Sequence, residues 1–142
     1  LLTACLPMLM DTGGNCGAQA STLVIRGLAL GQVEFKDIFR VWWREARVAL
    51  LVGLVLSLVN IVRQLVLYYF TQGVTADTVK VTLIVSSAMF LTVCIAKSIG
   101  CTLPLLAKKI GLDPALMASP IITTLVDACS LTILFSIATF AL

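Results

Sequence analysis

The chain has 142 residues, of which 60% are apolar and 12% charged, with no histidine and a formal net charge of +3. Soluble domains carry roughly half apolar and a quarter charged residues, so an ordinary water-soluble fold is excluded; disorder is excluded by the wealth of Leu, Val and Ile. A transmembrane helix needs about 20 apolar residues, which leaves room here for four crossings and short loops in an all-α, polytopic membrane bundle.

Residues 1–142 are expected to form a single transmembrane domain, and an apolar start at Leu1 without methionine reads as a fragment of a longer protein. The first predicted span covers about residues 1–31. Within it Asp11, Asn15, Gln19, Thr22 and Arg26 recur at steps of 4, 4, 3 and 4, which places all five on one helical face. Gly13 and Gly17 form a G-x-x-x-G on the opposite face, where small residues admit close helix packing. Amides inside a membrane call for water or a second polar stripe in front of them; the alternative is interhelical hydrogen bonding that serves only as glue.

From Val33 to Arg47, the residues Phe35, Ile38, Phe39, Trp42 and Ala46 follow helical spacing among Lys36, Asp37, Arg40 and Arg44. This predicts a short amphipathic helix lying in the interface. The second span, about 46–70, ends on Tyr68 and Tyr69, where an aromatic belt would sit. The third span covers about 79–107 and the fourth 114–142. Between them Gly111 is predicted to close the outgoing helix, Asp113 to cap the next and Pro114 to occupy its first turn.

Arg26, Lys36, Arg40, Arg44 and Arg47 flank the first connection, and Lys97, Lys108 and Lys109 the third. The second connection holds only Lys80, offset by Asp77. The basic bias therefore reports topology, not a nucleic-acid partner: connections 28–46 and 107–113 are expected in the cytoplasm and the C-terminus outside, in a multi-pass protein of the cell (inner or plasma) membrane. Cys5, Cys16, Cys94, Cys101 and Cys129 form no C-x-x-C and read as small apolar side chains.

Away from the span ends, four ionisable residues fall within the spans: Asp11, Arg63, Lys97 and Asp127. Each costs about 2.5–3.5 kcal/mol near the bilayer centre on the insertion scale, so each needs a reason. Arg63 and Lys97 lie within a few turns of their helix ends and are expected to snorkel, the alternative being pairing with acids inside the bundle. Asp127 lies close to the midplane, too deep for a short carboxylate to reach water along its helix. Ser119, Thr123, Thr124 and Ser130 fall within about 80° of it on a helical wheel. Pro120, on the same side, leaves the Leu116 carbonyl without its usual partner. An oxygen-rich stripe around one carboxylate suits a cation pathway; a protonated Asp bonded to a neighbouring helix is the alternative.

At these two stripes the sequence resembles a known family. The run Pro7-Met8-Leu9-Met10-Asp11-Thr12-Gly13-Gly14-Asn15-Cys16-Gly17-Ala18-Gln19-Ala20-Ser21-Thr22, with Arg26-Gly27-Leu28-Ala29-Leu30-Gly31 after it, is similar to the signature of the MgtE magnesium channels and transporters. Leu112-Asp113-Pro114-Ala115 with Ser119-Pro120-Ile121-Ile122-Thr123-Thr124-Leu125-Val126-Asp127 resembles that family's last membrane helix. Trp42-Arg44-Glu45 and Leu103-Pro104-Leu105 also look like its cytoplasmic connection and fourth helix.

The resemblance implies the last four of five membrane helices, in a homodimer whose pore is lined by the first and fourth spans of this chain. It implies that Asp127 binds a largely hydrated Mg²⁺, with the backbone carbonyl of Thr123 and, a turn further, Ser119. Asn15, Gln19, Thr22, Asp11, Thr124 and Ser130 are expected to line the path. It further implies cytosolic regulatory domains in the full-length protein. Two positions depart from the family: Asp11 stands where a small residue is expected and Ser130 where a glycine is common. Asp11 either adds a second cation site or pairs with a base. The leading expectation is a divalent-cation channel, not an enzyme. A carrier exchanging magnesium for sodium is the alternative, and an intramembrane aspartyl enzyme using Asp11 and Asp127 a distant one.

Overall fold

A computed structural model describes residues 2–71, 73–117 and 119–141, with the Ser119 side chain outside the described set. Four α-helices account for nearly all of it: α1 (Leu2–Ala29), α2 (Ile38–Thr71), α3 (Ala76–Lys109) and α4 (Ser119–Ala141), and no strand is present among the described residues. Short 3-10 turns at Phe35–Asp37 and Pro114–Met117 lead into α2 and α4.

Three helical stretches, Phe35–Thr71, Ala76–Lys109 and Pro114–Ala141, are long and apolar enough to cross a membrane. With its 28 residues α1 is also long enough, but its polar face leaves it less apolar than the others. Of the apolar stretch of α3, 56% is buried within the chain, against 22% for α2 and 28% for α4, so α3 is the central post. On one side it carries α1 and α4, which also pack on each other; on the other it carries α2.

Lipid tails are as apolar as leucine, so packing in a bilayer rests on close fit more than on water exclusion. The fit is stacked in levels. Leu9, Val85, Ala88 and Leu134 meet at one end, Cys16, Val93, Ala96, Ile122 and Val126 in the middle, and Val24, Leu28, Cys101 and Leu105 at the other end. The closest approach is glycine on glycine: a Cβ on Gly100 would collide with the carbonyl of Gly17. A Cβ on Gly17 would lie 2.8 Å from Ile122 Cγ2 and 3.2 Å from the Ala96 carbonyl oxygen. The glycine face expected from the sequence is thus the face that docks α1 onto α3 and α4.

The interfacial helix foreseen over 33–47 is not a separate element. After the turn at Phe35–Asp37 the chain runs as one helix of 34 residues, about 51 Å long at 1.5 Å per residue. No Gly or Pro falls between Ile38 and Val52, so nothing interrupts it. Of the two tyrosines that close it, Tyr69 is exposed but Tyr68 is buried against the bundle. At the next turn Thr75 caps α3 reciprocally: its hydroxyl accepts from the Thr78 N–H and its own N–H donates to Thr78 Oγ1. Gly111 closes α3 at φ +81°, where a side chain would be strained. Asp113 does act as a cap, accepting from the Ala115 N–H at 2.9 Å, but it caps the 3-10 turn at Pro114–Met117; α4 itself begins at Ser119.

Candidate functional site

The polar stripe of α1 stands on its open side. Asp11, Asn15, Gln19, Thr22 and Arg26 are exposed or half-exposed, while Gly13, Gly17, Ala20 and Val24 are buried. Because α1 docks on α3 and α4 through its glycine face, the amides are left out of that contact and open onto the cleft beside α2. Within this set Thr22 is partly satisfied at home, its hydroxyl donating to the Ala18 carbonyl at 2.9 Å.

The antiparallel helix α4 lies along the edge of that face. Gly14 packs on Thr123, Gly17 on Ile122, and Ser21 donates from its hydroxyl to the Met117 carbonyl at 3.1 Å. This register brings Asp127 level with Met10 and Asp11, so two acids from two helices share one depth. Asp127 is half-buried, as is Thr123, and Thr124 is exposed. Both threonine hydroxyls donate to the Pro120 carbonyl, at 3.1 Å from Thr123 and 2.8 Å from Thr124. The carbonyl of Pro120 is thus already engaged by side chains of its own helix.

Ser130 does not join this set. It is fully buried, donates to the Val126 carbonyl at 2.6 Å, and faces the space that Gly13 leaves by lacking a side chain. The reason is the pitch of the packing stripe: Ile122, Val126, Ser130, Leu134 and Ala138 are buried at four-residue steps, and this row passes beside Asp127. Ser130 is a packing residue in this chain, not one of its open-face oxygens. The Ser119 side chain lies outside the described residues.

Lys97 also departs from expectation. Its side chain is 5% exposed, and its ammonium lies 3.4 Å from Glu45 Oε2, itself 6% exposed. It is paired inside the bundle and does not snorkel. The same lysine lines a cavity of about 780 Å³ between α1 and α2, together with Asn15, Gln19 and Thr22. Arg63 is exposed and donates to Asn60 Oδ1 at 3.1 Å.

A second polar constellation is not among the residues singled out from the sequence. Between α2 and α3, Ser57 donates to the Ser86 carbonyl, Asn60 to Ser86 Oγ at 2.9 Å, and Thr82 to Gln64 Oε1 at 3.3 Å. Its signal is nonetheless there: Ser57, Asn60 and Gln64 recur at helical spacing, as do Thr78, Thr82 and Ser86. Unlike the α1 stripe, this seam is closed on itself. Among the described residues no group of three or more Asp, Glu or Cys converges as a metal cage.

A family model for divalent cation transporters, MgtE, matches residues 6–137 of the chain. The chain belongs to the MgtE family. It is 37% identical to "Magnesium transporter MgtE" of Thermus thermophilus over 133 residues and 35% identical to the protein of that name from Bacillus subtilis over 134. The Enterococcus faecalis magnesium transporter MgtE is 28% identical over 138 residues. These matches cover 94% of the chain in the first two cases and 97% in the third, but only 28% to 29% of each relative's length. With its apolar helices, this MgtE-family chain is part of a multi-pass membrane protein.

Proposed function

We propose that this chain supplies the ion-conducting part of a magnesium channel, in which two copies face each other and enclose a water-filled path between their α1 and α4 helices. One observation carries the reading: α1 keeps Asp11, Asn15, Gln19 and Thr22 exposed, outside its contact with α3 and α4, with the half-buried Asp127 of α4 at the level of Asp11. Such a face is costly against lipid and is relieved by water and a second polar face. A two-fold axis supplies both, because the same patch then meets itself.

Mg²⁺ gives up its water reluctantly and usually keeps several molecules. One acid per copy, flanked by hydroxyls and carbonyls, suits an ion held through its water shell. Two facing Asp127 carboxylates repel each other, and a dication between them relieves the repulsion, which favours divalent over monovalent cargo. The excess of Lys and Arg at connections 28–46 and 107–113 supports a cytoplasmic location for both, with the C-terminus outside.

The deciding experiment is Mg²⁺ flux into proteoliposomes holding the full-length protein. Asp127→Asn is expected to abolish flux while leaving the dimer intact by size-exclusion chromatography, and an inert hexa-ammine complex of hydrated-magnesium size is expected to block the wild type. Undiminished flux in the Asn variant overturns the pathway. Flux that stops without a sodium gradient assigns the chain to the magnesium–sodium exchangers instead.

A further inference from the structure

The Glu45–Lys97 pair is a second intramembrane charge feature, separate from Asp127 and its hydroxyls. Its two ends are not equivalent. Lys97 lines the large cavity beside Asn15, Gln19 and Thr22, whereas Glu45, on the α2 side, is not on the cavity wall. The pair is neutral as a whole but turns its positive end toward the polar face of α1. It is also loosely made, with a single N–O approach of 3.4 Å between two side chains that are each about 95% buried. An ammonium has three donors, and those not spent on Glu45 are free to address the cavity.

We propose that Lys97 is a specificity-determining residue for cation passage, and that Glu45 is the positioning residue that holds it and balances its charge. The inference rests on the α1–α4 pathway proposed above. An isolated carboxylate at position 45 would trap a dication on its way past Gln19. An isolated ammonium at position 97 would repel it. The pair avoids both, so an ion released from the level of Asp127 finds polar but uncharged surroundings along Asn15, Gln19 and Thr22. A dication feels either imbalance twice as strongly as a monovalent ion, because Coulomb energy scales with charge.

The two single variants should therefore shift transport in opposite directions. In Mg²⁺ flux measurements on the full-length protein, Glu45→Gln is expected to weaken apparent Mg²⁺ affinity roughly ten-fold, and Lys97→Gln to tighten it by a similar factor with a lower maximal rate. The double variant should return to near wild-type affinity. Breaking a buried pair also endangers folding. Val48, an exposed residue on the same cavity wall, offers a route that leaves the pair whole: Val48→Lys should mimic Glu45→Gln, and Val48→Glu should mimic Lys97→Gln. A pair that serves only to clamp α2 to α3 predicts loss of activity in both single variants at unchanged affinity, and no effect of charge at position 48; that outcome overturns the proposal. Asp127→Asn in the same assay keeps the two ideas apart. Full flux in that variant removes the pathway and this inference with it, whereas abolished flux together with same-direction shifts removes only the charge-balancing role.

Discussion

The two sides of α3 treat polar residues in opposite ways. Toward α2 they are turned inward and bonded to one another: Ser57, Asn60 and Gln64 meet Thr82 and Ser86, and all five are buried. On α1 the side chains of Asn15 and Gln19 are turned outward and exposed, while glycines occupy the contact. Residue types and spacing are nearly the same in both seams. What differs is the face each helix turns to α3: α2 turns its polar row to the hydroxyls of α3, whereas α1 turns its glycines. A polar stripe is glue when a neighbouring helix answers it and a surface for something else when the helix docks through its opposite, glycine-bearing face.

Filling the glycine contact should break the comparison most severely. Gly17→Leu places a side chain where Ile122, Val126 and the Ala96 carbonyl already stand, and is expected to cost about 3 kcal/mol or more, seen as loss of the folded protein in detergent melting. Next in size, Asn15→Leu with Gln19→Leu should leave the melting point within a degree or two. Mg²⁺ flux should fall roughly ten-fold, because these side chains stand open and their polarity serves the path and not the fold. Gln64→Leu sharpens the contrast from the other seam: stability should fall by about 1 kcal/mol, the scale of interhelical hydrogen bonds in membranes, with flux per folded molecule unchanged. Thr22→Val is expected to do least, below about 0.5 kcal/mol and less than a two-fold change in flux, since its hydroxyl already bonds within α1.

Much of the bundle is legible in the sequence because helical periodicity is local. The outward stripe from Asp11 to Arg26 and the glycine face of Gly13 and Gly17 follow from spacing alone. What spacing does not carry is which faces meet. Lys97 and Glu45 are 52 residues apart, and Glu45 falls in a segment whose pattern suggests a helix lying flat on the membrane. Only when Ile38–Thr71 runs as one continuous helix does Glu45 come alongside α3. Ser130 is misplaced by spacing for a subtler reason. It is only about 60° from Asp127 on a wheel at 100° per residue, but packing goes by rows of four, and the row through Ile122 and Val126 takes it inward. The Ser57–Gln64 stripe is open to inspection, but without a charge to mark it, it passes as ordinary span.

The meeting of Gly17 with Gly100 has a mechanical consequence. Most helix pairs touch through side chains, which can change rotamer and let one helix roll or slide on the other. Here main chain rests on main chain, and a joint without side chains has no rotamers to change. Rolling α1 by a single residue would drive Ala18 or Cys16 into the space that Gly17 leaves empty. The close contact of the two main chains thus fixes the bearing that the amide-bearing edge of α1 takes on the bundle.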